Sequence, residues 1–393
     1  MVYNTHMRYT KRLLEEPLRR AARRFPAVIV TGPRRSGKTT LLRRLYPRAD
    51  YVLLEDPDVV ARVRSDPRTF LGELRLPAVL DEIQNAPELL NYIRARVDRA
   101  PSRKGDWLLT GSQEAPLMRG VTESMAGRAA VLQLLPLSFQ EDKRVTWFSG
   151  GFPEVLAAPR SARLWYQSYL QTYLERDVRS VTAVRDLATF RRFLSLLASR
   201  AGQVLNRTDM AAPLGVSIPT LSQWLNILEI TSQILLIPPF YENFGKRLIK
   251  SPKVYFADSG LLCHLLGVES PAALARSPFA GAIFEGFVAS EIAKAQLNAG
   301  RRRELYFFRD EQGLEVDFVA PAGSAELLLL EAKASRTLRP EAALPIERLS
   351  RAVKRFKTRA AVVSLDDSIS LQALRPGIRA ASVKDIPNLL ALR

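Results

Sequence analysis

The sequence predicts an α/β fold whose first domain is built around a phosphate-binding loop. Short apolar runs alternate with helix-like stretches in the early part of the chain. The first run, Ala27-Val28-Ile29-Val30, leads into Gly32-Pro33-Arg34-Arg35-Ser36-Gly37-Lys38-Thr39-Thr40. A later run, Ala78-Val79-Leu80, ends in Asp81-Glu82. Gly, four residues, then Gly-Lys-Thr between an apolar strand and a helix is the P-loop in its proper setting.

The residue types suit the task. Gly32 and Gly37 let the backbone curl so that its N–H groups face phosphate oxygens with no side chain in the way. Lys38 would neutralise the β- and γ-phosphates of ATP. Thr39 would give a hydroxyl to Mg²⁺, and the helix beginning there presents its positive end. Asp81, at the tip of its strand, would hold the Mg²⁺ shell, and Glu82 would polarise the attacking water, the Walker B arrangement. A structural salt bridge is the plainer use of the same pair.

Composition narrows the classes. The chain has 393 residues, 47% apolar and 25% charged, which suits two or three soluble globular domains. Its net charge of +18 calls for an anionic partner, DNA first and an acidic membrane surface second. One cysteine, Cys263, leaves no internal disulfide or Cys-based zinc site, and His6 and His264 alone make no His-rich centre. A metal would be held by carboxylates and phosphates, which suits Mg²⁺. With no apolar run of about 18 residues and no apolar leader, the expectation is a cytoplasmic protein without a membrane partner.

Taken in order, residues 1–25 read as a basic amphipathic helix carrying Lys11, Arg12, Arg19, Arg20, Arg23 and Arg24. It would be either a solvated face beside the nucleotide or a nucleic-acid contact. Tyr51–Asp56 reads as a second strand, and Trp107–Gln113 as another apolar strand with a polar tip. There Thr110 would cap the next segment. Arg128, alone between Gly127 and an apolar strand, reads equally as a catalytic arginine or as a surface residue.

Several segments share one resemblance: Gly32–Thr40, Leu80-Asp81-Glu82-Ile83-Gln84, Leu109-Thr110-Gly111-Ser112, Met125-Ala126-Gly127-Arg128 and Pro136-Leu137-Ser138-Phe139. Gly150-Gly151-Phe152-Pro153-Glu154, Tyr173-Leu174-Glu175-Arg176-Asp177 and Val254–Leu262 extend it over nearly the whole chain. Together they resemble the AAA-like P-loop ATPases of bacteria and archaea that carry a C-terminal domain of unknown function related to PD-(D/E)XK nucleases. The resemblance implies an AAA-type ATPase core with ATP and Mg²⁺ as cofactors. Ser112 or Gln113 would act as the sensor of the γ-phosphate or the water. Arg128 would be an arginine finger or γ-phosphate sensor, a role worth about 10³–10⁵ in turnover.

Four domains are expected: the ATPase core over 1–150, a helical lid over 151–200, a winged helix-turn-helix over 201–277, and a nuclease-like α/β domain over 278–393. In the third, Thr208–Ala211 starts one helix, Gly215 turns the chain, and Ser217–Leu228 forms a second. Ser217, Thr220 and Gln223 would face DNA while Leu221, Trp224 and Leu228 are buried. Lys246, Arg247, Lys250 and Lys253 around a hairpin wing would meet phosphates. The same module also serves protein–protein contacts.

In the fourth, a helix places Glu285 or Glu291 near a site, and strands carry Asp317 and Glu331-Ala332-Lys333. An acid on a helix, an Asp, and Glu-x-Lys resemble the PD-(D/E)XK core. That implies Glu291, Asp317 and Glu331 holding a second Mg²⁺, with Lys333 orienting water or offsetting charge. Glu-x-Lys is also a common surface pair. Three functions stay open: an oligomeric DNA motor or remodeller (a helicase, translocase or branch-migration engine, with a hexameric ring as one closed form), an ATP-gated DNA nuclease, and an ATP-dependent interaction switch.

Overall fold

The computed structural model describes residues 9–111, 124–174, 187–240, 251–323 and 325–392. It divides into two compact units. One comprises residues 1–136 with 230–232 and 297–300, and the other 137–229, 233–296 and 301–393.

In the first unit the apolar runs become β1 (Ala27–Thr31), β2 (Asp50–Leu53), β3 (Ala78–Asp81), β4 (Trp107–Thr110) and β5 (Ala129–Gln133). They form one sheet, parallel throughout, in the order β2-β3-β4-β1-β5. Its central strands are continuous apolar runs because helices cover both faces. Period-two alternation sorts the side chains. Val28, Val30, Val79 and Leu108 pack with Leu18, Leu41 and Leu42, while Ala27, Ile29, Leu80 and Leu109 pack with Leu71, Leu90 and Ile93. The first set meets α1 (Glu15–Arg24) and α2 (Lys38–Leu45). The second meets α4 (Pro67–Glu73) and α5 (Leu89–Arg99), with α3 (Pro57–Ser65) before them. Asp56 and Asp66 cap α3 and α4 by accepting from Asp58 and Val59 N–H and from Arg68 and Thr69 N–H. The basic helix expected near the N-terminus is α1. It buries Leu18 and Ala22 and exposes Arg19, Arg20, Arg23 and Arg24.

The second unit opens with α6 (Pro153–Ala157) and α7 (Ala162–Tyr169), where Phe152, Trp165, Tyr166 and Tyr169 form a ring cluster. Asp258 ties this region together. It accepts from Gly151 N–H at 2.7 Å, Tyr166 OH at 3.0 Å and Leu261 N–H at 2.9 Å. A Cβ on Gly150 would meet the same carboxylate at 2.2 Å, so only glycine fits there.

Next come α8 (Leu187–Ser199), α9 (Arg207–Ala211), α10 (Ile218–Ile230) and an antiparallel hairpin of β6 (Ile234–Ile237) and β7 (Lys253–Phe256). Asn206 supplies the N-cap of α9, and Gly215 turns the chain at φ 65°. Phe190 and Phe193 of α8 interlock with Trp224 of α10.

After α11 (Ser259–Leu265) and α12 (Pro271–Arg276), the long α13 (Ala280–Asn298) leads to a six-stranded sheet. The sheet is mixed, ordered β12-β13-β11-β10-β9-β8, from β8 (Tyr306–Arg309), β9 (Glu315–Gly323), β10 (Glu326–Lys333), β11 (Lys357–Ser364), β12 (Gln372–Arg375) and β13 (Ile378–Ser382). Strands β8, β9 and β10 are antiparallel; β10 and β11 are parallel and joined through α14 (Leu344–Ala352), as a parallel pair requires. A last short helix, α15, spans Ile386–Leu389. Among the described residues no helix is long and apolar enough to cross a membrane.

Candidate functional site

Two polar constellations stand out, one in each unit. The first lies at the C-terminal ends of β1, β3 and β4, where ligands of open parallel sheets bind. The loop after β1 curls through positive φ at Gly32 (138°), Arg35 (62°) and Gly37 (95°). A Cβ on Gly32 would lie 2.1 Å from the Leu134 carbonyl oxygen, so the position admits glycine alone. Lys38 Nζ donates to the carbonyls of Gly32 at 3.0 Å and Pro33 at 2.9 Å, which holds its ammonium inside the curl. Ser36 Oγ is buried without a hydrogen-bond partner. A loop bent this way around a cation and an orphaned hydroxyl is a cradle for phosphate oxygens. Thr40 continues α2, and Arg34 leaves the loop to pair with Glu55 at 3.0 Å.

Arg12 braces the loop from behind. It donates from Nη1 to Ser36 O at 2.8 Å and from Nη2 to Leu135 O at 2.7 Å, and it is buried. The charge pattern predicts Arg12 on a basic helix face. The residue instead precedes that helix and turns inward, and nothing in the local sequence marks it.

Asp81 is the second focus. Its carboxylate accepts from Thr39 Oγ1 at 2.8 Å, from Tyr51 OH at 2.6 Å and from Thr110 Oγ1. Thr110 also accepts from Glu82 N–H at 3.0 Å, so its hydroxyl links the Asp81 carboxylate to the Glu82 backbone. The strand order explains this: β4 lies between β1 and β3, which brings its tip between the loop and Asp81. Glu82 sits at φ 60° and its carboxylate accepts from Gln84 Nε2. The set Lys38, Thr39, Asp81, Glu82 and Thr110 can hold a nucleotide triphosphate with a divalent cation.

Arg128 lies elsewhere. Its carbonyl accepts from Ala27 N–H at the start of β1, and its guanidinium grips Asp98 at 2.6 and 3.1 Å. Four rises of ~3.3 Å along β1 separate that end of the sheet from the P-loop end by ~13 Å. In this structure the Arg128 guanidinium is engaged in a surface ion pair at the end of β1 away from the P-loop. Ser112 and Gln113 lie outside the described residues.

The second constellation joins β7, β8, β9, β10 and α13. Glu315 and Asp317, two apart on β9, share a face, as do Glu331 and Lys333 on β10 and Lys253 and Tyr255 on β7. Lys253 Nζ lies 2.9 Å from Glu285 Oε1, 2.5 Å from Glu315 Oε1 and 3.8 Å from Asp317 Oδ1. Tyr255 OH also donates to Glu285. Lys333 Nζ pairs with Glu331 at 2.7 Å, and Asp317 accepts from Ala332 N–H at 3.0 Å. Burial first and the charge of Asp317 second push Glu285 up to about 7 and Glu331 up to about 8. Burial alone would lower Lys253, but Glu285, Asp317 and Glu315 outweigh it and hold its ammonium protonated.

Two expectations are corrected here. Glu291 does not join the cluster: its carboxylate accepts from Phe139 N–H at 2.9 Å and pairs with Lys294 at 2.9 Å, and Glu285 stands beside Asp317 instead. Lys253, expected to meet phosphates, is buried among carboxylates. Among the described residues no three acidic, His or Cys side chains converge as a metal site.

Ser217, just before α10, and Gln223 on it are exposed, and Thr220 is half-buried, bonded to Ser217 Oγ at 2.8 Å. Lys246, Arg247 and Lys250, and the motif residues Glu175, Arg176 and Asp177, lie outside the described residues.

Residues 24–142 match the AAA domain. Residues 140–272 and 280–384 match two domains of unknown function, DUF8612 and DUF4143. The uncharacterized proteins Rv2008c of Mycobacterium tuberculosis and Mb2031c of Mycobacterium bovis are each 34% identical over 307 residues, 76% of this chain and 68% of theirs. Among solved structures, the Walker-type ATPase PABY2304 of Pyrococcus abyssi is 17% identical over 64% of this chain and 94% of its own, with a TM-score of 0.44. The RuvB Holliday junction branch migration motor of Thermotoga maritima is 16% identical over 57% and 87%, with a TM-score of 0.29.

Proposed function

The chain belongs to the same family as the mycobacterial protein Rv2008c and carries an AAA domain with a P-loop, and from that premise we propose that it hydrolyses ATP with Mg²⁺ and acts on DNA as an oligomeric motor or remodeller. The observation that carries the ATPase half is the loop itself. Its backbone curls around Lys38 and the buried, partnerless Ser36 hydroxyl, with Thr39 bonded to Asp81 across the gap. Gly32 to Gly37 would wrap the triphosphate, and Thr39 and Asp81 would hold Mg²⁺. The metal's contribution, when bound, is to offset charge on the β- and γ-phosphate oxygens. Glu82 would turn from Gln84 to orient the attacking water, with Thr110 fixing the backbone beneath it.

The DNA half rests on the net charge of +18 and on the helix–turn–helix and hairpin order of α9, α10, β6 and β7, which supports a winged-helix reading. Ser217 and Gln223 are its exposed candidates for base or phosphate contact. Arg128 enters only as a residue supplied to a neighbouring subunit's nucleotide, for which its Asp98 pair must part.

The test is ATP turnover with and without duplex, single-stranded and branched DNA at two salt concentrations, with Lys38→Ala as control. Stimulation that fades with salt is expected. A flat response to all three DNAs would replace the motor with a nucleotide-driven interaction switch.

A further inference from the structure

The nuclease-like arrangement of the second unit calls for a divalent cation among its carboxylates, and an ammonium already stands there. Lys253 reaches into the cluster from β7, a different element from those that bring the acids. Its side chain is 3% exposed and contacts Glu285, Glu315 and Asp317 at once. The stem cannot withdraw to water without unpacking β7, whose Val254 and Tyr255 are fully buried, and the Phe307 ring lies 5.6 Å from Nζ. The remaining acid, Glu331, is taken by Lys333, and Arg309 adds a third cation 3.4 Å from Glu315. Every carboxylate of the group thus has a cationic partner from the chain itself. A divalent ion here would sit against a fixed positive charge and would have to displace it from three acids.

We propose that Lys253 is a built-in counter-cation. It takes the place a metal would occupy, so this domain binds no divalent ion at the cluster and cuts no phosphodiester. The cluster instead fastens the β6–β7 hairpin to the sheet that carries the acids. The same hairpin segment continues into that sheet: Phe240 N–H donates to Phe307 O at 2.7 Å and Phe307 N–H to Pro238 O at 3.1 Å. Lys253 and the acids around it therefore work as an internal joint.

The experiment titrates Mn²⁺ into the full chain, reading free Mn²⁺ by electron paramagnetic resonance, for the parent, Asp317→Asn, Lys253→Gln and the double variant. DNA nicking with Mg²⁺ and Mn²⁺ is followed in parallel. The parent and Asp317→Asn should bind the same number of ions and leave DNA intact. Lys253→Gln should gain one site that the parent lacks, and the double variant should lose it. A parent site or nicking activity that disappears with Asp317→Asn would overturn the proposal. So would a folded Lys253→Gln that gains no ion. Should Lys253→Gln fail to fold by circular dichroism, the parent and Asp317→Asn decide the matter alone.

Discussion

Arg12 offers the sharpest test of how the nucleotide loop is held. Replacing it with Met keeps an unbranched chain of similar reach but removes the donors to Ser36 O and Leu135 O, at 2.8 and 2.7 Å. Each charge-assisted bond is worth ~1.5–3 kcal/mol, and both carbonyls would be left buried. Against this, the variant no longer buries a guanidinium, which returns part of the loss. A net destabilisation of about 2–4 kcal/mol is expected from these opposing terms. The Ser36 carbonyl belongs to the loop itself, so roughly one bond's worth of ordering must now come from the nucleotide. That corresponds to about a tenfold weaker affinity. Urea unfolding reads the first quantity, and titration with a fluorescent ATP analogue reads the second. Arg12→Lys, which can keep one of the two bonds, should fall between. Loss of stability with nucleotide affinity unchanged would refute the link between Arg12 and the loop, and no change in either would refute the brace altogether.

Three further outcomes are expected from the geometry. Thr110→Val removes a donor to Asp81 and an acceptor for Glu82 N–H, so turnover should drop by about 10–100-fold with ATP binding little altered, and Thr110→Ser should restore it; turnover equal to the parent's would count against Thr110. Glu331 is raised to about 8 in the folded chain, by burial first and Asp317 second. The folded state therefore keeps a proton that the unfolded chain releases above about pH 4.3. The stability this group contributes is complete below that pH and drains away as pH climbs to about 8. Glu331→Gln, always neutral, should flatten that slope and exceed the parent's stability at about pH 8.5 by on the order of 2–4 kcal/mol, read from urea midpoints; parallel slopes for the two proteins would show the carboxyl is not the source. Arg128→Ala should leave folding nearly untouched, because its partner Asp98 is equally exposed. If Arg128 serves a neighbour, turnover falls ~10³-fold and mixing with inactive Lys38→Ala subunits rescues part of it; undiminished turnover would remove Arg128 from catalysis.

The features legible in the sequence are those that local backbone chemistry demands. A phosphate cradle needs Gly32, Gly37, Lys38 and Thr39 in one short stretch, so the stretch announces itself. The strands are visible as apolar runs for the same local reason. Tyr51 and Thr110 are not visible as partners of Asp81, because their meeting depends on β4 lying between β1 and β3, a fact of sheet order. Glu285 and Glu291 cannot be told apart from the sequence. They sit six residues apart on a helix, hence about 120° apart around its axis. With Ile283, Phe284, Phe287, Val288 and Ile292 all buried, the helix has no polar side to mark which acid turns toward Asp317. Lys253 looks like the last member of a basic run. Only the distant acids on α13 and β9 reveal that its charge points inward.

The joint between β7 and the acids also decides where this protein can be cut. A fragment ending near residue 277 would carry Lys253 on an exposed strand, stripped of Glu285, Glu315 and Asp317. The complementary fragment would keep those acids with no ammonium to balance them, and would lose the strand contact between Pro239 and Phe307. Each piece would display a raw charged face and an open sheet edge, the ingredients of insolubility on expression. Dissection at the expected domain boundary after residue 277 would therefore yield two poor samples. The hairpin and the terminal sheet are best expressed as a single piece.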